Sequence, residues 1–184
     1  MGDYFQSIVD PEATEAEAPS LSDRVLRWLV DEQIVVSKPT DCVLGNPSCG
    51  YAPGPAYVKA TGGPDDWVLR LRTNGLMVVS TRTFFHNGEN GFEPVCGECG
   101  NRTARKRGWW SDAANEWYIR AGPGMLACPA CQVSRPVTEW KHDPPVGFGN
   151  LGFTFWNWPP LIEEFIAAVG KQLGHRVLHV EGML

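Results

Sequence analysis

The chain has 184 residues, 43% hydrophobic and 20% charged, the profile of a globular domain that can bury a core without disulfides. No run approaches the roughly 18 apolar residues of a membrane span, and Met1-Gly2-Asp3-Tyr4 lacks the basic and apolar pattern of a secretory signal, so a cytoplasmic protein is expected. The formal charge of −5 is that of residues 1–20 (Asp3, Asp10, Glu12, Glu15 and Glu17, no Lys or Arg), which leaves residues 21–184 neutral, without the basic footprint of a dedicated nucleic-acid binder.

Residues 1–19 read as a flexible acidic arm, because the run from Pro11 to Pro19 is acidic, small and free of aromatics. Ser20-Leu21-Ser22-Asp23 has capping-box spacing, and Leu21, Val25, Leu26, Leu29 and Val30 then form the apolar face of a helix. Ile34-Val35-Val36 reads as a short strand ended by Pro39. Residues 38–66 hold five Gly and five Pro, which forbids a long helix or central strand; this stretch is either a functional loop or an ordered cover for one sheet face. A hairpin is predicted from Trp67–Arg72 through Thr73-Asn74-Gly75 into Leu76–Phe85, with Asn-Gly as the turn. Leu151–Trp158 is apolar on both faces and reads as a buried strand. Pro159-Pro160 suit the first turn of a helix whose apolar face is Leu161, Ile162, Phe165, Ile166, Val169 and Leu173, with Gly174 as its stop and Val177–Val180 as a closing strand. The expected fold is α+β, a two-layer sandwich of residues 20–91 and 141–184 with a β-hairpin and a C-terminal β-α-β unit, carrying an insertion at 92–140.

The strongest chemical signal is Cys96-Gly97-Glu98-Cys99 with Cys128-Pro129-Ala130-Cys131, two C-x₂-C pairs 28 residues apart. Two tight turns, eased by Gly100 and Pro129, bring four sulfurs around one tetrahedral ion. The array resembles the zinc-ribbon class of metal modules over about residues 92–140. That resemblance implies a structural Zn²⁺ held by Cys96, Cys99, Cys128 and Cys131, with an enlarged central loop. The pairs also resemble rubredoxin, which binds iron. Here Gln132 stands where that family has Gly after its last ligand, and Pro94 stands where it has an aromatic residue, so iron is the minority reading. A redox pair would follow a strand and open a helix, which Gly100 and Asn101 disfavour, and two disulfides do not suit the cytosol. Cys42 and Cys49 match no standard knuckle and read as ordinary thiols.

The function expected from this pattern is a protein-interaction or regulatory module. It rests on a neutral body, a closed metal site and eight Trp, several in loops expected to be exposed. The candidate partner-binding residues are Arg102, Arg105, Lys106, Arg107, Trp109, Trp110 and Tyr51. The basic and Trp residues of 102–110 alternatively suit nucleic acid, although the metal-loaded insertion carries a charge of only about −1. A second alternative is an enzyme using Cys42 with a histidine, with Asp41, His86, His142 and Asp143 as further candidates. Gly147-Phe148-Gly149-Asn150-Leu151-Gly152 matches a dinucleotide fingerprint but follows Pro144-Pro145 and enters a strand, so it is rejected.

Overall fold

The computed structural model describes residues 2–45, 49–65, 67–103 and 109–184. In chain order the elements are β1 (Tyr4–Asp10), α1 (Ala18–Asp31), β2 (Gly50–Tyr51), α2 (Val58–Thr61), β3 (Gly75–Val79), β4 (Thr83–Phe85), β5 (Glu93–Val95), α3 (Trp109–Arg120), β6 (Met125–Ala127), β7 (Ser134–Pro136), β8 (Lys141–Asp143), β9 (Gly147–Gly149), β10 (Leu151–Trp156), α4 (Glu163–Leu173) and β11 (Leu178–Met183). The α+β class is the one the sequence implies.

The main sheet has the order β11-β1-β10-β3-β2, and every neighbouring pair is antiparallel. β3 runs parallel to β1, because both oppose β10; β11 likewise runs parallel to β10, because both oppose β1. Two β-α-β units, β1-α1-β3 and β10-α4-β11, thus interleave into the split β-α-β-β-α-β arrangement called ferredoxin-like, with β2 added at one edge. The C-terminal β-α-β unit is present, but β1 lies between its two strands. This corrects the flexible arm: residues 4–10 form an inner strand. Its polar side chains are held by distant segments. Gln6 accepts from the Leu161 amide at 2.9 Å and donates to the Pro159 carbonyl at 3.0 Å, and Ser7 bonds the Thr154 hydroxyl at 2.8 Å.

Alternation along the strands divides two cores. Ile8, Leu76, Leu151, Phe153 and Phe155 face Leu21, Val25 and Leu29 of α1 and Phe165, Val169 and Leu173 of α4. On the opposite face, Phe5 and Trp156 meet Cys42 and Val43, while Val9 and Val180 meet Phe85. The Gly/Pro-rich segment and β4 thereby cover the face that the helices leave open. The rejected glycine motif has a packing cause. A Cβ on Gly147 would strike Val9, one on Gly149 the Asp10 carbonyl, and one on Gly152 the Phe85 ring.

Residues 80–150 are an insertion between β3 and β10, which are paired. Inside it β4 pairs with β9, β5 with β8 and β6 with β7, forming nested antiparallel ladders that lead to the paired cysteines.

Several local expectations are corrected. Val68–Arg70 form a 3₁₀ turn where a strand of the hairpin was predicted, and β3 pairs instead with β10 and β2. Asn74 does not make a hairpin turn; its amide donates to the Asn157 carbonyl at 2.9 Å, while a Cβ on Gly75 would meet Cys42. Val35 makes only an isolated bridge to Pro53. α1 begins before Ser20, after a reciprocal box between Thr14 and Glu17: the Glu17 carboxylate accepts from the Thr14 amide at 3.1 Å, and the Thr14 hydroxyl accepts from the Glu17 amide at 3.2 Å. α4 starts at Glu163, after the proline pair, and ends at Gly174 with φ +76° as its composition requires.

Candidate metal centre

Both C-x₂-C pairs sit at the tips of antiparallel turns with the same backbone hydrogen bonds. In the first, the Cys96 amide donates to the Asn101 carbonyl and the Gly100 amide to the Cys96 carbonyl, each at 2.9 Å. In the second, the Cys128 amide donates to the Val133 carbonyl at 2.8 Å and the Gln132 amide to the Cys128 carbonyl at 2.9 Å. Each turn needs one left-handed residue after its second cysteine, and these are Gly100 (φ +71°) and Gln132 (φ +63°). Sequence and backbone thus agree on one matched pair of knuckles, with a strained side chain at only one of them.

The four sulfurs lie within 4.8 Å of one another. Cys96 Sγ is 3.8 Å from Cys131 Sγ, and Cys99 Sγ is 3.7 Å from Cys128 Sγ. The edge of a tetrahedron of thiolates about 2.3 Å from its centre is about 3.8 Å. The cluster therefore has the chemistry and the span to hold a metal ion. Cys96 and Cys128 are buried, and Cys99 and Cys131 are exposed.

As thiols, Cys99, Cys128 and Cys131 influence one another's titration. Backbone amides of Cys131 and Ala130, aided by neighbouring sulfurs, bring Cys128 down to about 7 despite desolvation. At Cys99 the Asn101 amide favours the thiolate, but desolvation and the other three sulfurs outweigh it and push the group up to about 12. A metal must displace the remaining protons, so affinity for any metal rises with pH. Gln132→Gly should relieve the left-handed side chain and raise stability by about 1 kcal/mol. Thermal unfolding checks this; an unchanged or lower midpoint with the same metal content would remove the strain argument.

The long gap between the pairs is filled by α3. Its buried residues Trp110, Ala113, Ala114 and Trp117 recur at helical spacing, a signal the sequence carried and the basic/aromatic reading of 102–110 passed over. They join Phe92, Leu126, Val137, Trp140 and Phe148 in a second core that also contains Cys96 and Cys128.

The candidate contact residues are thereby separated. Trp110 is buried and donates its indole N–H to His142 Nε2 at 3.2 Å. Trp109 is half-buried, packs edge-on against Trp140, and donates to the Ala127 carbonyl at 3.0 Å. Arg102 pairs with Asp143 at 2.6 Å and Glu93 at 3.5 Å. Arg105, Lys106 and Arg107 lie outside the described residues. Tyr51 is half-buried against the main core. Both tryptophans of the segment are thus engaged in packing. Of the other Trp residues, Trp67 alone is exposed, which corrects the expectation of several exposed in loops.

The enzyme candidates are also dispersed. Burial pushes the Cys42 thiol up, opposite to what a nucleophile needs. Asp41 pairs with Arg72 at 3.2 Å, and His142 is driven down to about 4 by burial in the second core. His86 Nδ1 accepts from the Gly88 amide at 2.9 Å.

Compared with protein-family models, curated proteins and solved structures, the chain matches none. Its functional reading therefore stands on its own residues.

Proposed function

We propose that the chain is a cytoplasmic zinc-binding protein whose four-cysteine centre is structural, of the zinc-ribbon type, and whose metal-supported insertion presents a surface to another protein. The observation that carries this reading is the sulfur spacing of 3.7–3.8 Å at the tips of two equivalent turns. Four sulfur ligands leave no open coordination position, so the ion would hold the module together and would not activate water. Gln132 and Pro94, where an iron-binding rubredoxin has Gly and an aromatic residue, favour zinc. Support for the contact surface comes from Tyr118, Ile119, Met125 and Val133. These make up half of the eight large hydrophobics exposed among the described residues, and all four lie in the insertion.

Two measurements test the reading. Protein purified without added metal should hold one zinc per chain and show no visible colour; iron with a coloured thiolate spectrum would overturn the metal assignment. A photo-crosslinking residue at position 119 should trap a discrete protein in cells, while one at exposed Arg27 of α1 should not. Equal labelling from both positions, or none from 119, would remove the interaction surface.

A further inference from the structure

On the sheet face opposite α1 and α4, β4 and the strands beneath it line a half-open cavity of about 110 Å³. Its walls are mainly apolar and largely aromatic, with Phe5, Phe84, Phe85 and Trp156 the largest. The Phe5 ring lies 5.1 Å from that of Trp156 and 5.6 Å from that of His86. His86 is exposed, so the cavity reaches solvent at that side.

Besides Thr83 and His86, two buried polar features interrupt the walls. Ser7 and Thr154 both line the cavity, and both are more than nine-tenths buried. Their hydroxyls bond each other at 2.8 Å. Two hydroxyls carry two protons and that bond uses one, so the pair retains a donor. The indole N–H of Trp156 is the second feature: it is buried and has no acceptor among the described residues. An unpaired buried donor is costly, and a ligand acceptor would relieve it. No Asp, Glu, Lys or Arg lines the cavity, so a charged ligand would lose its hydration without a counter-ion. Although one side of its ring is open to solvent, His86 is partly desolvated against Phe5 and Phe84, which lowers its basicity and keeps the lining neutral near pH 7. Apolar cavities of about 150 Å³ stay dry and accept benzene, so a half-open one of this size suits a single ring.

We propose that this cavity is a binding site for a neutral single-ring aromatic compound bearing a hydrogen-bond acceptor, its ring among Phe5, Phe84 and Trp156 and its acceptor toward the Ser7–Thr154 pair. β4 is the first strand of the insertion, so the ligand would lie between that strand and the main sheet.

Phenol serves as the probe, with the metal-loaded full chain, ligand-observed NMR and thermal unfolding. Saturable binding near about 1 mM or tighter is expected, with a midpoint that rises with phenol concentration. Benzoate and benzylammonium should bind at least about tenfold more weakly, since each must bury an uncompensated charge. Val79→Phe fills the cavity and should reduce phenol affinity by more than about tenfold at unchanged metal content. Thr154→Val keeps the shape, removes one hydroxyl, and should weaken phenol about fivefold while leaving toluene unchanged. Absence of saturable phenol binding overturns the proposal, as does phenol affinity unaltered by Thr154→Val. That isosteric variant decides the matter if Val79→Phe does not fold.

Discussion

Chelation of the metal proposed for the four-cysteine centre is expected to unfold the module within 92–140 and to leave the five-stranded sheet with α1 and α4 folded. The main core draws no residue from 92–140, whereas the second core is built around Cys96 and Cys128. The ladders that lead to the knuckles are three residues per strand, too short to stand without support. A structural zinc with thiolate ligands is worth on the order of 10 kcal/mol of apparent binding energy at neutral pH, and that energy becomes folding energy when the site exists only in the folded state. Trp109, Trp110, Trp117 and Trp140 pack in this module, so near-ultraviolet circular dichroism and fluorescence should change sharply on chelation. Proteolysis should concentrate within 92–140. Cys128→Ser should reproduce the effect without chelator, because Cys128 is fully buried and its sulfur is 3.7 Å from that of Cys99. Protein shown by metal analysis to be stripped, yet with unchanged aromatic dichroism and protease resistance, would contradict a structural role.

The candidate centre was legible in the sequence because its information is local. Each pair of cysteines lies within four consecutive residues, and the turn that aims both sulfurs is made by the same residues and the one that follows. Even the departure at Gln132 was visible, although only the backbone shows that it adopts the left-handed conformation of Gly100. The intervening helix was locally encoded too, by Trp110, Ala113, Ala114 and Trp117. A basic run beside two tryptophans drew the reading toward a surface instead. In the structure those rings and alanines pack inward, and the cluster they form includes two of the metal-centre cysteines.

The inner strand β1 was hidden for a different reason. Its alternation is Tyr4-Phe5-Gln6-Ser7-Ile8-Val9-Asp10, so polar residues fall on both faces of a strand that is buried on both. Gln6 and Ser7 are bonded to Pro159, Leu161 and Thr154, about 150 positions away, and no window of sequence contains those partners. The predicted hairpin failed by the same logic. Trp67–Arg72 alternates as a strand would, but Trp67 and Leu69 are exposed, and the pairing edge of β3 is taken by β2 and β10. Asn74 and Gly75 answer to Asn157 and Cys42, so a local turn signal serves long-range contacts. Sheet partners are a tertiary property, and a chain with interleaved β-α-β units and an insertion between paired strands shows little of its strand order in the residue pattern.

Asp10→Ala should destabilise the protein by about 3 kcal/mol, as much as a large core truncation, although it removes no apolar surface. Asp10 is fully buried at the end of β1. One carboxylate oxygen accepts from the amides of Glu12 at 2.9 Å and Ala13 at 3.0 Å, which fixes the turn leading toward α1. The other lies 2.8 Å from His175 Nδ1, just beyond the end of α4. Alanine would leave the two amides and the imidazole without this acceptor and detach the start of the chain from the C-terminal β-α-β unit. Asp10→Asn separates the two roles, since its amide oxygen can still serve the turn while the charge is lost. The pH dependence then follows from His175. Its hydrogen bond to Asp10, with the charges of Asp10, Glu12 and Glu17, raises its pKa above the ordinary 6.5. A group whose folded pKa is raised contributes its stability in full below the unfolded value and loses it as pH climbs through the folded value. The stability gap between wild type and Asp10→Asn should therefore be wider at pH 6 than at pH 9. Denaturant midpoints at the two pH values measure it. A gap that is constant or grows with pH would show that the His175 contact does not couple the two ends of the fold, and an Asp10→Ala loss below about 1 kcal/mol would remove the carboxylate from the structural account altogether.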